Sequence, residues 1–408
     1  MLRGIENNPS NGEILQILEE INFPSQLDNQ NIKNVKAFGL NNGFNNEWRF
    51  GYYVGVDYLD DGFEFPVIVD PKFDNINYFE MFKTCLEFPE TTMYLSNVFD
   101  IRIDKPFIHL PDDISNTFSI LVIYHFMKIL SDLVKRPLIK SYVIKNENLK
   151  SKIKGKILLG EHFKKNIANN RFNRIVCSFD EYSSDCPANR LLHSAYRICI
   201  NYSKNQNLRE ITKYNFIESY FQNIGYIGNS YEISKIKVNS LFWEYKEALR
   251  IAKIIYKLKS YNENEENPNN FVRIPPYIID MPKLFELYTL VLLKKAKINV
   301  NYQVHGNYGY VDFLDYDHKI IIDTKYKKIY DEEKKFNIDD IRQVSAYARD
   351  KRLLKNLYKD NTWETTIPKC LIIYPDENIN NMTINSAELL NAPIEQFNEF
   401  YKYGLKLP

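Results

Sequence analysis

The chain reads as a multidomain α+β or α/β protein. It has a β-rich N-terminal domain over residues 1–112, a mainly helical middle region over 113–271 and a C-terminal domain over 272–408. The last is expected to hold a central mixed sheet flanked by helices. Three observations predict this layout. Short apolar runs separated by turn residues dominate up to Leu110, and apolar positions at helical spacing recur through the middle. The last third then runs helix, hairpin, helix. At 408 residues the chain is long enough for two or three separately packed cores.

Taken in order, Pro9-Ser10-Asn11-Gly12 precedes a short amphipathic helix with Ile14, Ile17, Leu18 and Ile21 on one face. Tyr52-Tyr53-Val54-Gly55-Val56 and Phe65-Pro66-Val67-Ile68-Val69, with Asp60-Asp61-Gly62 between them, predict a β-hairpin, and Phe99 to Ile103 another strand. Thr117 to Val134 reads as a strongly apolar helix ended by Lys135-Arg136-Pro137. Asn189 to Tyr202 and Val238 to Lys259 also read as helical. Asn262 to Asn270 is polar and rich in breakers, which suits a boundary loop before Ile274-Pro-Pro-Tyr277.

Composition narrows the function classes. Fifty-three basic and 52 acidic residues give a net charge of +1, so any nucleic-acid surface must be a local patch. The best candidate lies between Lys140 and Arg174, where ten Lys/Arg face only Glu147 and Glu161, although a solvated charged face fits the same pattern. The five cysteines are odd in number, contain no CxxC pair and have no histidines at ligand spacing. A zinc site or disulfide framework is not expected, and a reducing cytoplasm is the simpler setting. MLRGIENNPSNGE lacks the apolar core of a signal peptide, and Phe118 to Met127 is too short to span a bilayer, so no membrane is expected. No GxxxxGK[ST] loop is present, which excludes NTP hydrolysis by that route.

The residues suited to chemistry lie near the end. Met281 to Lys297 forms a helix with a broad apolar face and Glu286 in its first or second turn. Val311-Asp312-Phe313-Leu314 and Lys319 to Tyr326 read as two strands joined by Asp315-Tyr-Asp-His318. Alternate side chains share a strand face, so Asp323 and Lys325 point together, and the hairpin brings Asp312 beside them. Two carboxylates and an ammonium flanked by Ile320, Ile321 and Ile322 are costly to bury without a counter-charge. Mg²⁺ bound by Asp312 and Asp323, with Mn²⁺ as a substitute, would supply it and lower the pKa of a bound water. Lys325 is placed to orient that water or to stabilise charge on a phosphorane-like transition state. Gln343 and Tyr347, four apart in a helix beginning near Asn337 or Asp339, share one face and extend the set.

Other polar residues have plainer readings. Glu286 equally fits a helix-dipole partner, and Gln343 and Tyr347 a packing face. His305 and His318 read as polar loop residues, and Lys327 and Lys328 as a strand end or a phosphate contact. Asp180, Glu181, Asp185, Asn189 and Arg190 read as structural, with Ser184 or Asp185 capping the following helix.

Asp312…Asp323-Thr-Lys325 resembles the D…(D/E)xK signature of the PD-(D/E)xK nuclease superfamily, with Val311 where a proline is usual. Gln343-xxx-Tyr347 is similar to the QxxxY element of its RecB-like branch. The chain more specifically resembles the McrC family, the nuclease subunits of McrBC modification-dependent restriction systems. The matching pieces are Tyr53-Val-Gly-Val56, Val69-Asp-Pro-Lys72, Ile153-Lys-Gly-Lys-Ile157, Phe179 to Arg190, Asp280 to Glu286, Ile322 to Lys327 and Asp340 to Gln343. The resemblance implies a PD-(D/E)xK fold in the last domain and Mg²⁺-dependent endonucleolytic cleavage of double-stranded DNA in a prokaryotic cytoplasm. It also implies an AAA+ GTPase hexamer of McrB type as partner, whose GTP hydrolysis an N-terminal projection would stimulate. One active site cuts one strand, so a double-strand break implies two copies of the assembly or two successive cuts. Two alternatives stay open: a subunit that mainly activates the GTPase ring, and a self-sufficient nuclease of another defence or repair system.

Overall fold

The computed structural model describes all residues except 1, 9, 11, 21–31, 43–46, 75, 96, 103, 206–208, 229–232, 234–235, 237–241, 264–270, 329–335 and 359. The first residues of the expected helix from Val238 and most of the expected boundary loop lie outside the described residues. The protein is mixed α/β and divides into two compact units, Met1–His109 with Ile274–Pro408, and Leu110–Arg273. The sequence suggested three consecutive segments. The first and last instead belong to one unit, because they share a β-sheet.

Among the described residues, unit one holds two five-stranded sheets. The first runs β1 (Leu2–Ile5), β3 (Pro66–Asp70), β2 (Tyr53–Tyr58), β5 (Tyr277–Asp280), β4 (Phe99–Ile101). The hairpin read from the turn residues is β2–β3, antiparallel with Val56 opposite Ile68. Asp60 holds its turn by accepting from the N–H groups of Glu64 and Phe65. β5 comes from the far end of the sequence and pairs antiparallel with both β2 and β4, setting Ile278 opposite Gly55 and Asp100. Gly55 is required there: its φ is +130°, and an added Cβ would lie 2.3 Å from the Tyr277 carbonyl oxygen. Helix α1 (Gly12–Glu20) buries Ile14 and Leu18 in the core of Phe38, Phe50, Val67 and Val69, and α2 (Tyr78–Cys85) and α3 (Pro89–Leu95) follow it in unit one.

The second sheet runs β6 (Val300–His305), β7 (Tyr310–Asp315), β8 (Ile320–Thr324), β9 (Lys369–Pro375), β10 (Phe400–Leu405). Its first three strands are antiparallel and its last two run parallel to β8. Ile320, Ile321 and Ile322 are all buried, as expected of a central strand covered on both faces. Three helices bear on this sheet. α4 (Met281–Lys295) starts directly after β5, with Asp280 accepting from Lys283 N–H as its N-cap and proline at its second position. α5 (Ile338–Tyr347) is capped by Asn337, and α6 (Lys351–Tyr358) follows it. Ile341, Val344, Leu353 and Leu357 of α5 and α6 pack on Leu314, Ile321, Cys370 and Ile372, which closes that face.

Unit two combines helices with a sheet that the lysine-rich segment did not announce. Its long helices, Asp112–Leu133, Pro187–Asn205 and Trp243–Glu263, accompany a ten-residue antiparallel ladder of Ser141–Lys150 with Arg174–Ser183. Lys156–Ile157 pairs on that ladder's other side. The basic segment thus contributes one long strand, a two-residue strand and the short helix Leu159–Lys165. Its lysines mask a period-two pattern in which Tyr142 and Ile144 share one face. The five cysteines are buried free thiols, and no helix among the described residues is long and apolar enough to cross a membrane.

Candidate active site

The β7–β8 hairpin follows the register read from its sequence, with Phe313 opposite Ile322 and Leu314 opposite Ile321. Its turn is fastened by the buried Asp315, which accepts from the N–H groups of Asp317 and His318 and contacts His318 Nδ1 at 2.7 Å. His318 is thus a turn brace. At the other end of the hairpin, Asp312 Oδ2 accepts from the Thr324 N–H at 2.7 Å and from its hydroxyl at 2.6 Å. Asp323 is buried, and its Oδ2 lies 2.5 Å from Lys325 Nζ.

Lys325 in turn donates to Gln343 Oε1 at 2.8 Å, and Gln343 Nε2 donates to the Tyr347 hydroxyl at 3.1 Å. The sequence-derived set Asp323, Lys325, Gln343 and Tyr347 is therefore one chain of contacts from strand to helix, an ion pair followed by two hydrogen bonds. Glu286 joins from α4 and accepts from the Gln303 side-chain amide. Gln303 sits inside β6 at φ 52°, between the paired positions Tyr302 opposite Phe313 and Val304 opposite Val311. It therefore occupies the ladder place facing Asp312. A non-glycine residue in that region is held there by its surroundings, as is common beside reactive groups.

The electrostatics are those of too many carboxylates in too little water. Burial pushes Asp323 up to about 7, Asp312 adds repulsion, and the Lys325 ammonium opposes both. Burial pushes Asp312 up to about 7 as well; Glu286 adds to the rise, and the Thr324 hydrogen bonds oppose it. Glu286 also stands near 7 through burial, partly offset by hydrogen bonds from Gln303 and Tyr302. Burial alone would lower Lys325, but Asp323 and Asp312 outweigh it and hold the ammonium charged. Among the described residues no three His, Cys, Asp or Glu side chains converge as ready-made metal ligands. An oxygen-preferring cation that keeps most of its waters needs fewer protein ligands. Asp312 and Asp323 fit such an ion by donor chemistry and by the negative charge it would relieve.

Several residues at the site escaped the sequence reading. Thr324 lies inside the motif itself. Asp340, one turn before Gln343, is buried, accepts from Lys327 Nζ at 2.7 Å and adds repulsion at Asp323. Lys327, read as a strand end or a phosphate contact, is thus engaged by Asp340. Lys72, just after β3, donates to the Tyr326 carbonyl at 2.8 Å, lies over the Tyr52 and Tyr326 rings and pairs with the buried Glu6 at 3.9 Å. A lysine 253 positions from Lys325 carries no local signal of this contact. In unit two, the expectation that Asp185 caps a helix is corrected. Its carboxylate accepts from Arg190 through two bonds of 2.8 Å and from the Gly225 N–H, while Asn189 donates to the Ser184 and Ile139 carbonyls.

The family model described as McrBC 5-methylcytosine restriction system component matches residues 49–358. Two solved structures from Thermococcus gammatolerans are similar. A half-complex from a tetradecameric assembly of McrB AAA+ hexamers with bound McrC shows 14% identity and a TM-score of 0.42, over 99% of this chain and 94% of that one. A cryo-EM structure of the McrBC complex shows 14% identity and a TM-score of 0.31, over 74% and 89%. A search of curated proteins finds no match.

Proposed function

The chain belongs to the McrBC 5-methylcytosine restriction system component family, and we propose that within it this chain is the subunit that hydrolyses DNA phosphodiester bonds. The observation that carries this reading is the convergence of Asp312, bonded by Thr324, with the linked Asp323, Lys325 and Gln343 on one hairpin and one helix. Asp312 and Asp323 would hold Mg²⁺, which as a bound Lewis acid would supply a water deprotonated near neutral pH and relief of charge on the leaving oxygen. The protein's own residues do the positioning. Thr324 fixes the direction of the Asp312 carboxylate. Asp323 and Gln343 hold the Lys325 ammonium in place, so that it meets the developing phosphorane charge without reorganising. Glu286, near 7, can hold a proton beside the pair without adding a full negative charge. The last domain belongs, on this reading, with PD-(D/E)xK nucleases.

The proposed partner is a McrB-like AAA+ hexamer, whose GTP hydrolysis this chain stimulates in the cytoplasm. The likeness to McrBC assemblies suggests it, and a surface suited to it lies on unit two. There the Tyr142 and Tyr182 rings lie 5.3 Å apart across the ladder with Ile144 on the same strand face, all three 60–76% exposed, an apolar group suited to a protein partner.

The test is cleavage of methylated and unmethylated plasmid with Mg²⁺, by the parent and by Asp323→Ala, with and without the GTPase and GTP. Cutting that needs the partner and is lost in Asp323→Ala supports the reading. Equal cutting by both proteins removes the hairpin from catalysis, and cutting by the chain alone favours a self-sufficient nuclease.

A further inference from the structure

The turn between β6 and β7 is fastened more firmly than a turn requires. Gly306 N–H already donates to the Gly309 carbonyl at 2.7 Å, which closes it. In addition, one Asp350 carboxylate accepts from the Asn307 N–H at 2.6 Å and from its side-chain amide at 2.8 Å. It also accepts from the N–H groups of Arg352 and Leu353 at the start of α6. A Cβ at Gly306 would lie 2.7 Å from that carboxylate, so a side chain there would push against the clamp. What this clamp holds in place is Tyr308, 99% exposed, with Tyr310 just over half exposed beside it. Tyr310 packs edge-on against His305, whose Nδ1 contacts Arg352 at 2.8 Å.

The same corner is positively charged. Arg349, Lys351 and Arg352 are exposed, and the carboxylate among them, Asp350, is occupied by N–H groups. Tyr310 and Asp312 lie two apart on β7 and share a face, so this surface leads straight to the carboxylate pair. At about 3.3 Å per residue, Tyr310 stands roughly 7 Å along β7 from Asp312, and Tyr308 in the turn is at most about 13 Å away. That is about four base pairs of duplex.

We propose that Tyr308, Tyr310 and the Arg349–Arg352 corner form the surface that holds double-stranded DNA against the candidate active site. Lys351 and Arg352 neutralise phosphates, and the tyrosines pack on sugar and donate a hydroxyl to a phosphate oxygen. The assignment rests on the nuclease reading and places the DNA on this corner. On the basic hairpin of unit two, Lys145 and Lys165 are paired with Glu181 and Glu161, and Lys154 lies over the Phe179 ring.

The experiment is fluorescence anisotropy with a labelled duplex and the full chain carrying Asp323→Ala, titrated over a range of salt. Lys351→Ala with Arg352→Ala should raise Kd about tenfold and flatten the slope of log K against log salt by about 1.8. Tyr308→Ala should raise Kd with the slope unchanged, and Lys150→Ala with Lys152→Ala should change neither. Unchanged binding in the first two, loss in the third, or no duplex binding by the parent overturns the proposal. Because the Asp323→Ala background does not depend on cutting, these outcomes are separate from the plasmid assay that judges the nuclease reading.

Discussion

Replacing Asp323 with asparagine is expected to stabilise the metal-free protein while abolishing cleavage. Asp323 is 2% exposed, and burial with the neighbouring Asp312 charge pushes its carboxyl from 3.8 to about 7. Below about pH 4 the group is protonated both folded and unfolded, so the shift then has no cost. Between about pH 4 and 7 the folded chain keeps a proton that the unfolded chain releases, and stability falls as pH rises. Three pH units at 1.36 kcal/mol each put the full penalty above pH 7 at about 4 kcal/mol, with the attraction to Lys325 already included. Asparagine keeps the shape and removes the charge, but its amide cannot hydrogen-bond as well beside Lys325. About half the penalty, roughly 2 kcal/mol, should therefore be recovered, or about 4–8 °C in Tm for a unit of this size. Thermal melts at pH 8 and pH 5 in chelator check this, with the gap shrinking at pH 5. Added Mg²⁺ or Mn²⁺ should then raise the parent's Tm by mass action and leave the variant's unchanged. A variant that melts below the parent at pH 8, or a gap that does not narrow at pH 5, refutes the charge argument. A parent indifferent to divalent cations refutes the metal site.

Three further outcomes follow from particular contacts. Lys72→Met leaves Glu6 buried without its counter-charge and should lower stability by about 3 kcal/mol, with Glu6→Gln restoring part of it; urea midpoints that do not recover would exclude the pair as the cause. Gln343→Ala removes an acceptor from Lys325 and should slow cleavage about tenfold, against about a thousandfold for Lys325→Ala. Parental single-turnover rates in Gln343→Ala would detach that helix from the chemistry. Gly55→Ala forces a side chain against the Tyr277 carbonyl at positive φ and should cost about 2 kcal/mol or more, read as a lower urea midpoint; no shift would mean that the β2–β5 approach is looser than described.

What the sequence by itself determined is what local chemistry controls. The β7–β8 hairpin, its turn and the shared face of Asp323 and Lys325 follow from period-two patterning. The spacing of Gln343 and Tyr347 follows from the helix that Asn337 caps. In unit two a count of lysines hid the alternation of a ten-residue ladder. Tertiary structure alone decided the rest. β5 inserts between β2 and β4, bringing the ends of the chain into one unit, and a strand's edge does not encode which distant strand will meet it. Gln303 reaches Glu286 through a backbone angle that its residue type does not announce. Glu6 and Lys72 look like ordinary surface charges until burial removes their water and leaves them each other and the Tyr326 carbonyl beside the candidate site.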